Sequence, residues 1–217
     1  VIDGNSNEPM WEKNININRK FWMDYDMRAI PEIDNTVTSS LMWDDDNLYI
    51  AMDIVDGNLS SEFWLSTQND GIEVDVDPDL SRGLDFKDDD MAFVWTAVSN
   101  KTEYRTKLDG ANIAWARTAN GYSVEMAIPW SQLGVTPAAG KKIGLELCNY
   151  DRDNDTYKGA LIFSGHSWNN GIVLNGLAEV TLSNEIITAP RACQIISPNG
   201  DKSLIAGWTM PFRFQWM

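Results

Sequence analysis

The stretch Gly71-Ile-Glu-Val-Asp-Val-Asp77 alternates strictly between apolar and acidic residues, and its reading decides the fold. A period of two marks a β-strand, in which successive side chains point to opposite faces. Ile72, Val74 and Val76 then share one face, and Glu73, Asp75 and Asp77 the other. The apolar face packs on a core and leaves three carboxylates in a row opposite it. Repulsion among such neighbours calls for good solvation, a cation or a hydroxyl-rich ligand. Trp64 lies a few positions upstream, and an acidic strand beside a tryptophan suits sugar hydroxyls or calcium. A solvated strand face is the plainer alternative.

Runs of the same kind lie on both sides. Residues 36–43 and 48–55 flank Asp44-Asp-Asp-Asn47 and read as an antiparallel hairpin with an acidic turn. Further strands are expected at 91–98, 103–108, 113–118, 122–128, 142–149, 160–163 and 177–182, with Asn120-Gly121 as a hairpin turn. Only Pro129-Trp-Ser-Gln-Leu133 looks helical, and for about one turn. Many short strands punctuated by Gly, Asn and Asp predict an all-β fold, an antiparallel β-sandwich of jelly-roll-like type over residues 1–184. Residues 185–217 read as two strands around Ile196-Ser-Pro-Asn-Gly200, too short to make a core alone. They are expected to open a following immunoglobulin-like or fibronectin-like module; a last hairpin of the sandwich is the competing view.

Charge narrows the partners. Acidic residues outnumber basic ones 32 to 17, a net charge of −15. Phosphate binding needs clustered Lys and Arg, so neither nucleic acid nor an anionic membrane surface is an expected partner. No apolar run approaches a membrane span. The chain begins at Val1, which suggests a mature or excised segment, so a missing signal peptide does not count against secretion. Cys148 and Cys193 have no metal-type spacing, and a bridge between them stays open.

Three chemistries suggest themselves. Asp-rich loops at 44–46, 53–56, 75–79, 85–90 and 151–155 could converge on calcium, which takes six to eight oxygen ligands often drawn from several loops. Asp151-Arg-Asp-Asn-Asp155 starts like an EF-hand but lacks that motif's later glycine and glutamate. Haem ligation would have to draw on His166 and on methionines such as Met42, Met52, Met91 and Met126, which fall inside expected strands and suit a core better. Sugar stacking fits best. Ten tryptophans exceed what one sandwich core needs, and Trp168 stands in a polar loop with His166, Asn169 and Gly171. Glu73 and Asp75 share a face, similar to the acid pair of jelly-roll glycosidases, but Pro78 stands where those enzymes carry a further glutamate.

The chain resembles the family 9 carbohydrate-binding modules, part of the DOMON-like β-sandwich group. The likeness runs in order through Val1-Ile-Asp-Gly4, Trp11, Leu41-Met-Trp-Asp44, Asn47-Leu-Tyr-Ile50 and Val55-Asp56. It continues through Asp70–Asp77, Asp88–Phe93, Gly121–Trp130, Ile143-Gly144 and Trp168. The resemblance implies a non-catalytic, monomeric, extracellular module. It would be covalently linked to a catalytic domain and hold it on a plant polysaccharide such as xylan or cellulose. It implies that Trp64 and Trp168 sandwich a sugar in contact with Glu73; the shared strand face adds Asp75 and the polar loop adds Asn169 as rim candidates. It also implies structural calcium on Asp56, Asp79 and Asp89, to which the acidic loop adds Asp77. By the same alignment the family's rim arginine, asparagine and glutamine are replaced by Val94, Thr96 and Cys148, which puts the ligand in question more than the fold. A haem-binding electron-transfer domain of the same fold group, and a spacer that has lost sugar binding, are the alternatives.

Overall fold

The computed structural model describes residues 1–13, 15–21, 33–61, 63, 66–83, 86–98, 101–104, 110–154, 156–164, 176–186, 191–196 and 203–205. Fourteen strands are defined among them: β1 (Ile15–Ile17), β2 (Arg19–Phe21), β3 (Thr36–Trp43), β4 (Asn47–Val55), β5 (Gly71–Asp77), β6 (Met91–Thr96), β7 (Lys101–Tyr104), β8 (Asn112–Thr118), β9 (Gly121–Pro129), β10 (Lys142–Asp153), β11 (Thr156–Ile162), β12 (Ala178–Ile186), β13 (Arg191–Ile196) and β14 (Ser203–Ile205). The described residues include no α-helix, only a 3-10 turn at Ser66–Gln68. No helix among them is long and apolar enough to cross a membrane.

Hydrogen bonding runs in the order β7-β6-β5-β10-β12-β13-β3-β4-β9-β8, and each of these pairings is antiparallel. The path folds over so that β6, β5 and β10 face β3, β4 and β9 across one core. Alternation explains which side each strand gives to it. Ile72, Val74 and Val76 of β5, Phe93 and Trp95 of β6 and Leu145 and Leu147 of β10 meet Leu41, Ile50, Met52, Val124 and Met126 from the other layer. Trp95 joins the layers directly, its ring centroid 5.4 Å from Trp115 and 5.9 Å from Tyr122. Met52, Met91 and Met126 fill this core and Met42 a smaller cluster with Trp11. The described tryptophans (Trp11, Trp43, Trp95, Trp115 and Trp130) are buried or half-buried.

The β3–β4 hairpin pairs Thr36 with Val55 and Trp43 with Leu48, as its sequence implies. Asp44 Oδ1 closes the turn by accepting the N–H groups of Asp46 and Asn47, each at 2.8 Å. The stretch after Pro129 is a turn rather than a helix. Its backbone bonds, Gln132 N–H to Pro129 O and Leu133 N–H to Trp130 O, span three residues, and Val135 N–H closes back on Trp130 O at 3.2 Å. In the C-terminal stretch β13 pairs with β12 on one side and with Trp43 and Met42 of β3 on the other, and β14 pairs with β13.

The outer face of the β3-β4-β9-β8 layer is covered by the N-terminal segment. Buried Glu125 on β9 accepts the backbone N–H groups of Asp3 and Gly4 and the indole N–H of Trp11, at 2.9, 2.8 and 2.7 Å. Gly4 is required there: its φ is +91°, and a Cβ would stand 2.3 Å from the Trp115 backbone. The Asp3-Gly4, Trp11 and Glu125 of the sequence pattern are thus one clasp.

Candidate functional site

β5 is an interior strand flanked by β6 and β10, and all seven of its residues are buried. The acidic face is therefore enclosed, which removes the plainer alternative of a solvated strand face: Glu73 is 1% exposed and Asp75 0%. Register places Glu73 between Val94 of β6 and Cys148 of β10, and Asp75 between Ala92 and Glu146. Thr96, Gly71 and Tyr150 make the next row. The three positions that depart from the resemblance thus surround Glu73 on one sheet face. Ile162 and Ala160 of β11 extend it, and with Cys148, Tyr150, Val94 and Tyr157 they form a small apolar cluster beside the acid.

The central acid of this face is engaged, while the buried Thr96 Oγ1 beside it has no hydrogen-bond partner among the described residues. The Tyr150 hydroxyl donates to Glu73 Oε2. Burial first, then the Glu73 charge, pushes the Tyr150 pKa well above its ordinary value, so it stays a donor. Burial and the charges of Glu73, Glu146 and Asp75 likewise raise the Cys148 thiol, which is free and neutral. Glu146 is pushed up to about 7 by burial, against the opposing pull of hydrogen bonds from Ser164 and from the backbone N–H groups of Phe163 and Leu147. Trp64, Trp168, Asn169 and His166 lie outside the described residues.

Two acidic clusters stand at the two ends of β5, about 23 Å apart for a fully extended strand. At its start, carboxylate oxygens of Asp56, Asp70 and Asp151 lie within 4.8 Å of one another, and all three residues are buried. Asp151 also belongs to a second such group with Asp34 and Asp153. Asp56 Oδ1 accepts from Asn58 N–H at 2.8 Å, and Asp70 accepts from the backbone N–H groups of Ser60 and Arg152. Asp56 Oδ2 and both oxygens of Asp151 are buried with no hydrogen-bond partner. Burial, then the neighbouring carboxylates, raise all three pKa values, Asp70 to about 8 and Asp151 to about 7.

At the far end, Asp77, Asp79 and Asp90 form the second cluster. Asp77 and Asp79 accept from the N–H groups of Ser81 and Arg82 at 2.8–3.0 Å, while Asp90 Oδ1 and Ser81 Oγ are buried without partners. Of the four metal candidates, Asp56 joins the first cluster and Asp77 and Asp79 the second. The third carboxylate of the second cluster comes from Asp90, the neighbour of Asp89. Asp151 comes from the acidic loop 151–155 already named for calcium, whereas Asp70 lies in none of the loops so named.

Buried, uncompensated carboxylates at this density are unfavourable unless protonated or neutralised by a cation. Oxygen-only donor sets with orphaned lone pairs fit a hard divalent ion of the calcium type and offer nothing to a thiophilic metal. A further acidic group, Asp3, Glu8 and Glu125, differs in kind, because Glu125 is already saturated by the clasp.

Comparison with known proteins agrees with this architecture. A family model described as carbohydrate family 9 binding domain-like matches residues 2–173. The chain is 29% identical over 174 residues to an endo-1,4-β-xylanase A of Thermoanaerobacterium saccharolyticum, covering 77% of this chain and 14% of that protein. It is 29% identical over the same length to an exoglucanase, XynX, of Acetivibrio thermocellus, covering 77% of this chain and 15% of that one. The chain thus spans about a seventh of the length of the curated relatives it matches. Among solved structures, a family 9 carbohydrate-binding module from Caldicellulosiruptor kristjanssonii in complex with cellotriose superposes with a TM-score of 0.71 at 20% identity, covering 88% of this chain and 92% of that one.

Proposed function

This chain belongs to the family 9 carbohydrate-binding domains, and from that premise we propose that it is a calcium-braced module holding a secreted polysaccharide-degrading enzyme on plant cell-wall glycan. The observation that carries the proposal is the match over residues 2–173 to a binding family with no catalytic role. The relatives' names, a xylanase and an exoglucanase, point to xylan or cellulose as the glycan and to a linked glycoside hydrolase as the neighbour. The same reading includes secretion and a monomeric state.

In this reading Trp64 and Trp168 stack on a sugar ring, and Asn169, Glu73 and Asp75 receive or supply hydrogen bonds at its rim. Glu73 is buried and already engaged by Tyr150. A sugar hydroxyl must therefore compete with the phenol for it. With Val94 and Cys148 on either side in place of longer polar residues, orientation rests on few hydrogen bonds. Such a site is expected to bind at about micromolar to millimolar strength, which tethering to a polymer raises by avidity.

Calcium is assigned to the clusters Asp56–Asp70–Asp151 and Asp77–Asp79–Asp90, with Asp89 as an adjacent outer carboxylate. Its role is structural. It would cancel the repulsion at both ends of β5 and fix the loops that frame the acidic face.

The test is retention of the chain on insoluble cellulose and xylan, compared with Glu73→Gln and Trp168→Ala. Retention that falls at least fivefold in both variants supports the reading. Equal retention of all three proteins removes this face from glycan binding. Release of reducing sugar that is lost in Glu73→Gln would mean an enzyme instead.

A further inference from the structure

A second depression lies on the opposite layer, outside the site described above. It is a cavity of about 580 Å³ between the N-terminal segment and the outer face of the β3-β4-β9-β8 layer. Its floor is one cross-strand row, Met42 on β3, Tyr49 on β4, Ala127 on β9 and Asn112 on β8, each directly opposite the next. Three inter-strand spacings make this row about 14 Å long. Ala127 sits between the larger Tyr49 and Asn112, so the floor dips at its middle. The wall is Met10 and Trp11, and the indole is held in place by its bond to Glu125.

The lining specifies the ligand's chemistry. It contains no lysine or arginine, and its one cationic group, the Val1 terminus, is paired with Glu8 at 3.5 Å, so little there favours an anion. Its one carboxylate, Asp44, is already engaged by the Tyr49 hydroxyl at 2.7 Å and by two backbone N–H groups, which leaves little unbalanced charge for a cation. Asn47 donates to the Tyr49 hydroxyl at 3.2 Å through its amide nitrogen and keeps its carbonyl oxygen for another donor. Among the described residues the exposed Asn112 amide has no hydrogen-bond partner. Methionine and aromatic surface lies alongside these two amides. Apolar patches alternating with neutral donors and acceptors match a ligand with C–H faces and hydroxyl edges.

We propose that this groove is a second saccharide site, taking a short run of neutral β-linked glycosyl units laid along the Met42–Tyr49–Ala127–Asn112 row. The inference rests on the carbohydrate-binding reading of the chain but not on the Glu73 face. Two sites on opposite layers would let one module grip two chains of a polymer.

The test is calorimetric titration of the 217-residue chain, in calcium, with cellohexaose and xylohexaose. Trp168→Ala, Trp168→Ala with Ala127→Trp, and Trp168→Ala with Asn112→Ala are titrated in parallel, and thermal melting confirms that each is folded. The proposal expects Trp168→Ala to retain one weaker site. That residual affinity falls at least tenfold when Ala127→Trp fills the floor, and severalfold with Asn112→Ala, a surface change that leaves the fold alone. Complete loss of binding in Trp168→Ala overturns the second site and leaves the proposed function standing. Residual binding indifferent to both groove changes also overturns it. No binding by any of the proteins overturns both readings.

Discussion

Replacing Asp151 with asparagine should separate calcium binding from the stability of the empty fold, with opposite signs. Asp151 is buried, and its pKa moves from 3.8 to about 7 because burial, and then Asp56, Asp153 and Asp34, disfavour its charge. A carboxyl whose folded pKa lies above its unfolded value imposes no penalty below pH ~4, where both states are protonated. Stability then falls as the pH rises towards the folded pKa, and above it the penalty is complete. For Asp151 it reaches on the order of 4 kcal/mol at pH 8. Calcium at one hundred times its Kd returns about 2.7 kcal/mol, or roughly 5–10 °C in Tm for a chain of this size. Scanning calorimetry of wild-type protein should show that increment at pH 8, its reversal by EDTA, and little of it at pH 5. In EDTA at pH 8, Asp151→Asn should melt no lower than wild type, and its calcium increment should shrink by at least half. The reasoning is refuted if the two proteins respond equally to calcium, or if wild type in EDTA is more stable at pH 8 than at pH 5.

The clasp gives two further predictions for urea unfolding. Glu125→Ala strands three donors in or near the core and should cost about 3 kcal/mol or more. Gly4→Ala meets the Trp115 backbone and should cost about 2 kcal/mol; a loss below half of either value would mean that the N-terminal segment is only loosely held. Trp95→Ala removes the ring that joins the two layers and should cost about 3–5 kcal/mol, read from the same urea midpoints. In a Cys193→Ser background, Cys148, buried and with its pKa raised, should resist a thiol-specific disulfide reagent at pH 8 in folded protein and react fully in denaturant. Rapid reaction in the folded state would show that the Glu73 face opens readily.

Much of the fold was legible because alternation and burial coincide. The bounds 36–43 and 71–77 are those of β3 and β5, whose apolar members line the core. Where the pattern breaks, the reading stopped early: β10 continues past Asn149 through Tyr150-Asp-Arg-Asp153, a polar stretch carried by pairing with β11 across a register shift. β1 and β2, of three residues each, are too short to show a period. The acidic face of β5 was read correctly as a face but not as buried, since alternation separates two sides and is silent about what covers them. The acidic clusters were visible only as loops. Asp70 and Asp151 are brought together by the β5–β10 pairing, a convergence that spacing along the chain cannot reveal.

The most direct test of the central claim is a titration of the calcium-loaded chain with cello- and xylo-oligosaccharides, followed by tryptophan fluorescence. It is repeated with the sugars' reducing ends converted to alditols. The account predicts a saturable change in the micromolar to millimolar range that is reduced in Trp168→Ala, and sensitivity to end reduction would show that chain termini are read. No change with any oligosaccharide would contradict it, leaving a sandwich of this family that has ceased to bind sugar.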